Sequence, residues 1–283
     1  MLLREVEYAR PSTVDEAIAL LAGNEGARAL AGGQTLVNVM KARAASPEVL
    51  VDLGALDDLR TIGFSSDGQL EIGAMVTYAE LVSSSEIEVA RPILAEVAAT
   101  IADVQVRNRG TVGGNVCVSD PTNHLPPLLL ALGATFTVRG ESGERTVPAE
   151  DFFLGVYLTA VGEGELLTKV SVPASSGAGD GFAGLTIGRH GTYIVNAAAT
   201  VSGDSARIAI GCVAGTPVRA TAMEERLAGG DFSEEAVRAA AAGLGASLDP
   251  PSDVHGSADF RRHVAEVSAV RAVTQAAARR RSA

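Results

Sequence analysis

Short apolar stripes alternate with polar or glycine-rich breaks along this chain, and the period of the stripes changes from segment to segment. Ser12 followed by Asp15 resembles a capping box and opens a helix over Val14–Ala22. A short strand, Ala27–Leu30, runs into a tight turn at Ala31–Thr35 and a helix over Leu36–Ala42. Strands follow at Val49–Leu53 and Leu70–Met75, and Thr77 with Glu80 caps a helix that reaches Val82. Pro92 stands near the start of a helix that carries Ile93, Leu94, Val97 and Ile101 on one face. Beyond the glycine-rich turn Gly110–Asn115, Leu125–Leu132 reads as an apolar helix and Ala134–Val138 as a strand. Glycine and serine crowd Ser175–Gly181, which is expected to be a linker, with a domain boundary near residue 176. Further on, Arg207–Val213 alternates like a strand, and helices are predicted around Val218–Leu227, Ser233–Ala242 and Ser257–Ala278. In the last of these Ser257 caps, and Phe260, Val264, Val267 and Val270 recur at helical spacing. No fixed-period repeat is present, and the fold class is α+β.

The bulk numbers narrow the function. A chain of 283 residues is long enough for two domains. Its net charge of −11 argues against a nucleic-acid or anionic-membrane partner. No apolar run reaches the length of a membrane span, and the opening MLLREVEYAR meets charge at Arg4 and Glu5, unlike a signal peptide. The expected location is cytoplasmic. Two cysteines, Cys117 and Cys212, exclude a disulfide scaffold and fall short of the four thiolates an iron–sulfur cluster usually needs. The basic run Arg279–Arg281 ends a predicted helix, where cations suit the dipole.

Two turns carry candidate chemistry: AGGQT at Ala31–Thr35 and TVGGN at Thr111–Asn115. Paired glycines let backbone approach a ligand closely and aim several N–H groups at one point, as a phosphate or pyrophosphate requires. Gln34, Thr35, Thr111 and Asn115 add side-chain donors. Neither turn has the Rossmann spacing or the lysine of a Walker A loop. Each alone is also compatible with a plain connection, so a nucleotide site and a structural turn both stand on the residues alone. No serine–histidine–acid arrangement supports hydrolysis. His255 and His263 have no ligand spacing and read as capping or surface residues, so no metal site is expected. Glu163, Glu165, Asp57 and Asp58 read as solvated turn residues.

The words around these turns resemble a family. Ala29–Leu36, followed by Met40-Lys41-Ala42-Arg43, is similar to the first FAD loop of the molybdenum-hydroxylase flavoproteins, the carbon monoxide dehydrogenase and xanthine dehydrogenase type. Ile101–Gly110, running into TVGGN and Asp120-Pro121, resembles the second, and Leu125-Pro126-Pro127 with Ala131–Ala134 continues it. Arg207–Gly211, Thr216–Ala220 and His255–His263 resemble the family's terminal domain, so the likeness runs in order along nearly the whole chain. It implies a two-part α/β FAD-binding domain over 1–176, with subdomains of about 1–56 and 57–176, then a small α+β domain over 177–283. By position, Ala31, Gly32, Gly33, Gln34, Thr35 and Val37 would wrap the FAD diphosphate. Ala102, Thr111, Gly114, Asn115 and Cys117 would form the facing wall, with Asp120 in the same motif. Leu167 and Tyr193 match residues near the flavin. The implied partners are an iron–sulfur subunit that supplies electrons and a molybdenum-cofactor subunit that oxidises the substrate. The FAD would pass the electrons to NAD, a quinone or oxygen.

Three positions depart from the family pattern. His124 stands where an aspartate usually bonds the ribityl chain, Leu185 where a lysine lies near the flavin, and Thr192 where an aspartate precedes the tyrosine. Losing the cation is expected to lower the flavin potential, because reduced flavin is anionic. His124 and His190 are candidate proton relays or simple pocket histidines, and Tyr193 a shield for the flavin or a core aromatic. Cys117 is expected to line the site as a small hydrophobe, and Cys212 to pack within a strand. Three functions stay open: a flavin-carrying subunit of a complex, a stand-alone FAD oxidase or dehydrogenase acting on a small molecule, and a binding protein that has lost FAD.

Overall fold

The computed structural model describes residues 3–188 and 192–280. Strands β1 (Glu7–Ala9), β2 (Arg28–Leu30) and β3 (Val49–Asp52) form a parallel sheet in the order β1-β3-β2. The helix Val14–Gly23 buries Val14, Ala17, Ile18 and Leu21 against Val49, Val51 and Leu53 of that sheet's cluster. Its cap lies one residue later than the sequence predicts. Thr13 Oγ1 accepts the Glu16 N–H at 3.1 Å, and the Ser12 N–H and hydroxyl donate to the Glu16 carboxylate at 2.7 and 3.0 Å. Asp15 instead pairs with Arg139.

The second sheet is antiparallel. It contains β4 (Ile62–Phe64), β5 (Leu70–Gly73), β6 (Thr135–Gly140), β7 (Gly143–Pro148) and, past the small hairpin β8 (Phe153–Gly155) and β9 (Leu158–Thr159), β10 (Leu166–Val172). Their order is β4-β5-β10-β6-β7. The helices Tyr78–Ser83, Pro92–Thr100 and Leu125–Leu132 share one core with it. Every residue of Leu125–Leu132 is buried, and the helix stops at Gly133, whose φ of 69° a side chain would strain.

The third sheet runs β11 (Gly179–Thr186), β12 (Tyr193–Ser202), β13 (Ser205–Gly211) and β14 (Val218–Arg219), antiparallel throughout. The long helix Ala258–Arg280 covers it with Ala265, Ala269, Ala272, Val273 and Ala276. Three sequence expectations change here. Only the front of Ser175–Gly181 is a turn; Gly179 onward is strand. Gly179 and Gly181 are glycine because the helix backbone lies on them: a Cβ would overlap the Ala276 and Ala272 carbonyl oxygens. The helix expected over Val218–Leu227 gives its first two residues to β14, and helix begins at Thr221. Cys212 stands just past the end of β13 in a left-handed conformation, φ 67°, rather than within the strand.

The third sheet is tied to the second. Ala198 and Ala209 join the core of the second sheet. Arg91, at the junction of two helices, reaches both carboxylate oxygens of Asp180 on β11 at 2.8 Å. It also donates to the Pro173 carbonyl at 2.7 Å, while Thr200 donates to Asp180 at 2.8 Å.

Candidate cofactor site

A cavity of about 740 Å³ opens where the end of the first sheet meets the helix Val112–Val118 and the β8–β9 hairpin. β2 delivers Ala31–Thr35 to its mouth, with Gly33 at φ 72°. Gly32 presses on the backbone of the second glycine segment, since a Cβ there would overlap the Arg109 carbonyl oxygen. Gly113 packs on Ala74 with no room for a side chain. A Cβ on Gly114 would lie 2.9 Å from Thr111 Oγ1 and 3.8 Å from the Ala31 methyl. Two turns separated by about eighty residues therefore meet backbone to backbone on one cavity, and glycine is what allows the approach. Thr111 caps the helix Val112–Val118, its Oγ1 accepting the Gly114 N–H at 3.0 Å. Nearby, Ala102 takes φ 44°, and Arg107 holds that bend by donating to the Ile101 and Ala102 carbonyls at 3.0 and 2.8 Å.

Most of the residues singled out in the sequence converge. Ala31, Gly32, Gly33, Gln34 and Thr35 line the cavity, as do Ala102, Thr111, Gly114, Asn115 and Cys117, together with His124 and Leu167. Val37, Asp120 and Tyr193 stand behind that lining. Val37 backs Gly33. Asp120 accepts from the Thr122 N–H and hydroxyl at 2.9 and 2.7 Å and from the Tyr157 hydroxyl at 3.3 Å. Tyr193 packs edge-on against His124, ring centroids 4.7 Å apart. His190 lies outside the described residues. Of the departing positions, His124 and Thr192 line the cavity, whereas Leu185 does not and is 39% exposed.

Side-chain roles differ in part from expectation. Gln34 donates back into its own turn, to the Gly32 carbonyl at 3.2 Å. Asn115 donates to the Tyr78 hydroxyl at 3.0 Å. Glu165 is not simply solvated: it pairs with Arg145 and accepts the Gly162 N–H at 2.7 Å, and the Arg145 guanidinium holds its carboxyl below the usual range. Burial pushes the His124 imidazole down to about 4, so it is neutral at pH 7 and a poor base there. Burial also pushes the Cys117 thiol up to about 12, which keeps it protonated and unreactive. Among the described lining residues the charged ones are Arg28, Glu163 and Glu165, so none flanks His124 and Thr192 in sequence.

Sequence reasoning missed Tyr78, Arg28 and the hairpin residues Tyr157 and Leu158, all of which line the cavity. Tyr78 left one legible trace. It follows the helix cap Thr77, yet it is a large aromatic where a surface helix would be polar.

The chain can be placed among known proteins. Residues 4–175 match the family model described as the FAD binding domain in molybdopterin dehydrogenase, and residues 191–276 match the CO dehydrogenase flavoprotein C-terminal domain. The chain is 40% identical to the carbon monoxide dehydrogenase medium chain of Hydrogenophaga pseudoflava over 99% of both chains. It is 33% identical to the glyceraldehyde dehydrogenase medium chain of Sulfolobus acidocaldarius, covering 96% of this chain and 99% of the relative. Among solved structures it superimposes on a chain of the reconstituted CO dehydrogenase from Oligotropha carboxidovorans with a TM-score of 0.93 and 38% identity, over 99% of this chain and all of that one. The chain thus belongs to the FAD-binding medium-chain family of molybdopterin dehydrogenases, which are oxidoreductases.

Proposed function

We propose that this chain is the electron-transfer flavoprotein subunit of a molybdenum hydroxylase, taking electrons from an iron–sulfur subunit and passing them to an external acceptor. Substrate oxidation then belongs to a molybdenum-cofactor subunit. The observation that carries the reading is the meeting of Gly32 with the Arg109–Gly110 backbone, which brings two glycine turns together on one cavity. That cavity lies within the size range of cofactor sites. In this reading Ala31–Thr35 hold the diphosphate through backbone N–H groups, and Thr111–Asn115, whose N–H groups from Val112 to Asn115 bond within the protein, form the facing wall. Ala102, Cys117 and Leu167 supply apolar wall, and His124 and Tyr193 stand toward the flavin. Bound FAD supplies reversible electron storage; the protein sets its position and its potential.

The departures at Leu185 and Thr192 extend this reading to a flavin of lowered potential. His124 is neutral, and among the described residues the charged ones that line the cavity are Arg28, Glu163 and Glu165, so in this reading the reduced flavin lacks the cation that a lysine at residue 185 would supply. Restoring a cation with Leu185→Lys is expected to raise the potential by about 10–20 mV, a modest shift because the position is partly exposed. Redox titration of both proteins decides it, and an unchanged potential removes the argument.

An absorption spectrum of the purified chain, followed by anaerobic dithionite and then air, tests the function. An oxidised-flavin spectrum that bleaches and recovers supports the reading. Fast recovery in air, without partners, would favour a stand-alone oxidase. A colourless protein that takes up no added FAD would favour a binding protein.

A further inference from the structure

Asn115 and Tyr78 form a buried pair whose hydrogen bonds do not close. Asn115 Nδ2 donates to the Tyr78 hydroxyl at 3.0 Å, yet Asn115 Oδ1 is fully buried with no partner among the described residues. Buried amide oxygens are almost always paired, because an unmet one has lost its water with nothing in exchange. The Tyr78 hydroxyl accepts from Asn115 and still has its own proton to give. Burial pushes that phenol up to about 12, so the proton is present at any working pH. Both residues line the cavity. If the amide is turned over, the Tyr78 hydroxyl donates to Oδ1 and the amide N–H groups are the free ones. In either arrangement the pair presents unmet hydrogen-bonding capacity at the cavity wall.

The fold holds this pair in place. Tyr78 opens the helix Tyr78–Ser83 behind a complete capping box at Thr77 and Glu80. Its N–H donates to the Gly110 carbonyl at 3.0 Å, and Thr77 bridges to Thr111. The ring occupies the space a side chain at residue 110 would need: a Cβ there would lie 2.6 Å from Tyr78 Cε2. Tyr78 is thus built into the base of the second glycine turn, and a tyrosine there fixes the Asn115 amide in one plane.

We infer that Tyr78 is a cofactor-positioning residue that orients the Asn115 amide toward a sugar or sugar-alcohol hydroxyl of the dinucleotide. A sugar hydroxyl can donate, and so meets the open Oδ1 that the Tyr78 hydroxyl holds in place through Nδ2. This rests on the FAD reading above. The hydroxyl belongs to the ribityl chain or to the adenosine ribose, and ligand choice separates the two.

The test uses flavin-stripped protein, together with any subunits that co-purify, titrated with FAD, FMN and ADP. Wild type is compared with Tyr78→Phe, Asn115→Ala and the double variant, and binding is read by flavin fluorescence and calorimetry. Tyr78→Phe keeps the ring and its packing but removes the hydroxyl. It is expected to weaken FAD roughly 5- to 30-fold. Parallel weakening of FMN assigns the ribityl chain, and parallel weakening of ADP assigns the ribose. The double variant is expected to bind no more weakly than Asn115→Ala alone, because Tyr78 acts through Asn115. Wild-type binding of FAD with Tyr78→Phe unchanged, or with the two substitutions adding independently, overturns the inference and leaves the FAD reading intact. Failure of wild type to bind FAD overturns both. If Tyr78→Phe lowers the melting temperature of the stripped protein while leaving all three affinities unchanged, the tyrosine is a packing residue and the inference falls.

Discussion

His124 shows how one residue changes meaning between sequence and structure. In the chain it reads as a candidate relay near neutral pH. In the fold it is 8% exposed, at the start of an apolar helix and edge-on to Tyr193, with no capping bond. Burial disfavours the imidazolium and holds the group at about 4, against 6.5 when unfolded. The unfolded chain therefore takes up a proton as pH falls below 6.5, while the folded protein does not until pH nears 4. Stability should fall with pH across that window, by roughly 3 kcal/mol in all. His124→Gln removes the titration, so urea melts of the stripped variant should show a shallower loss between pH 6.5 and 4 than wild type. Equal slopes would mean that the imidazole is solvated in the folded protein. Neither outcome touches the flavin chemistry, so the measurement isolates the residue's environment.

At the scale of elements, legibility followed how local the cause was. Helices with their own stripes and caps were readable: Pro92–Thr100, Leu125–Leu132 and Ala258–Arg280 all stand close to their predicted spans. The two glycine turns were readable because their residue types are needed wherever backbones meet, and the family words around them were long and in order. The strands β10 and β12 were not. β12 is buried along nearly its whole length, so it shows a continuous small apolar run, Ala197-Ala198-Ala199, rather than alternation. Gly179-Asp180-Gly181 looked like a linker because glycine usually signals one. Its glycines answer instead to a helix almost a hundred residues later, and its aspartate to Arg91. Asp15 could not be told from Glu16 as the capping acid, since the choice depends on which carboxylate reaches back to Ser12. Tyr78 could not be tied to the site from its position alone, because its partner, Asn115, lies on the second glycine segment.

The whole molecule depends on how firmly the third sheet is fixed to the rest, because Thr192 reaches the cavity and Tyr193 supports His124 from that side. Arg91 and Asp180 are the buried ion pair of that joint, both almost fully buried. Thr200 and the Pro173 carbonyl share their hydrogen bonds. A buried pair of this kind adds little net stability over apolar residues of the same shape, since both charges have been taken from water. Breaking it is another matter. Arg91→Met would leave the Asp180 carboxylate buried with only the Thr200 hydroxyl, and should cost about 3–5 kcal/mol. The double variant Arg91→Met, Asp180→Leu should recover most of that loss, as no charge is then stranded. Urea unfolding measures both, read as a shift in midpoint at constant slope. A cost for Arg91→Met below about 1 kcal/mol would mean that water reaches the joint. If the double variant is stable but binds FAD more weakly, the pair fixes the angle of the third sheet rather than its stability. The residues at the His124 end of the cavity then owe their position to an ion pair outside it.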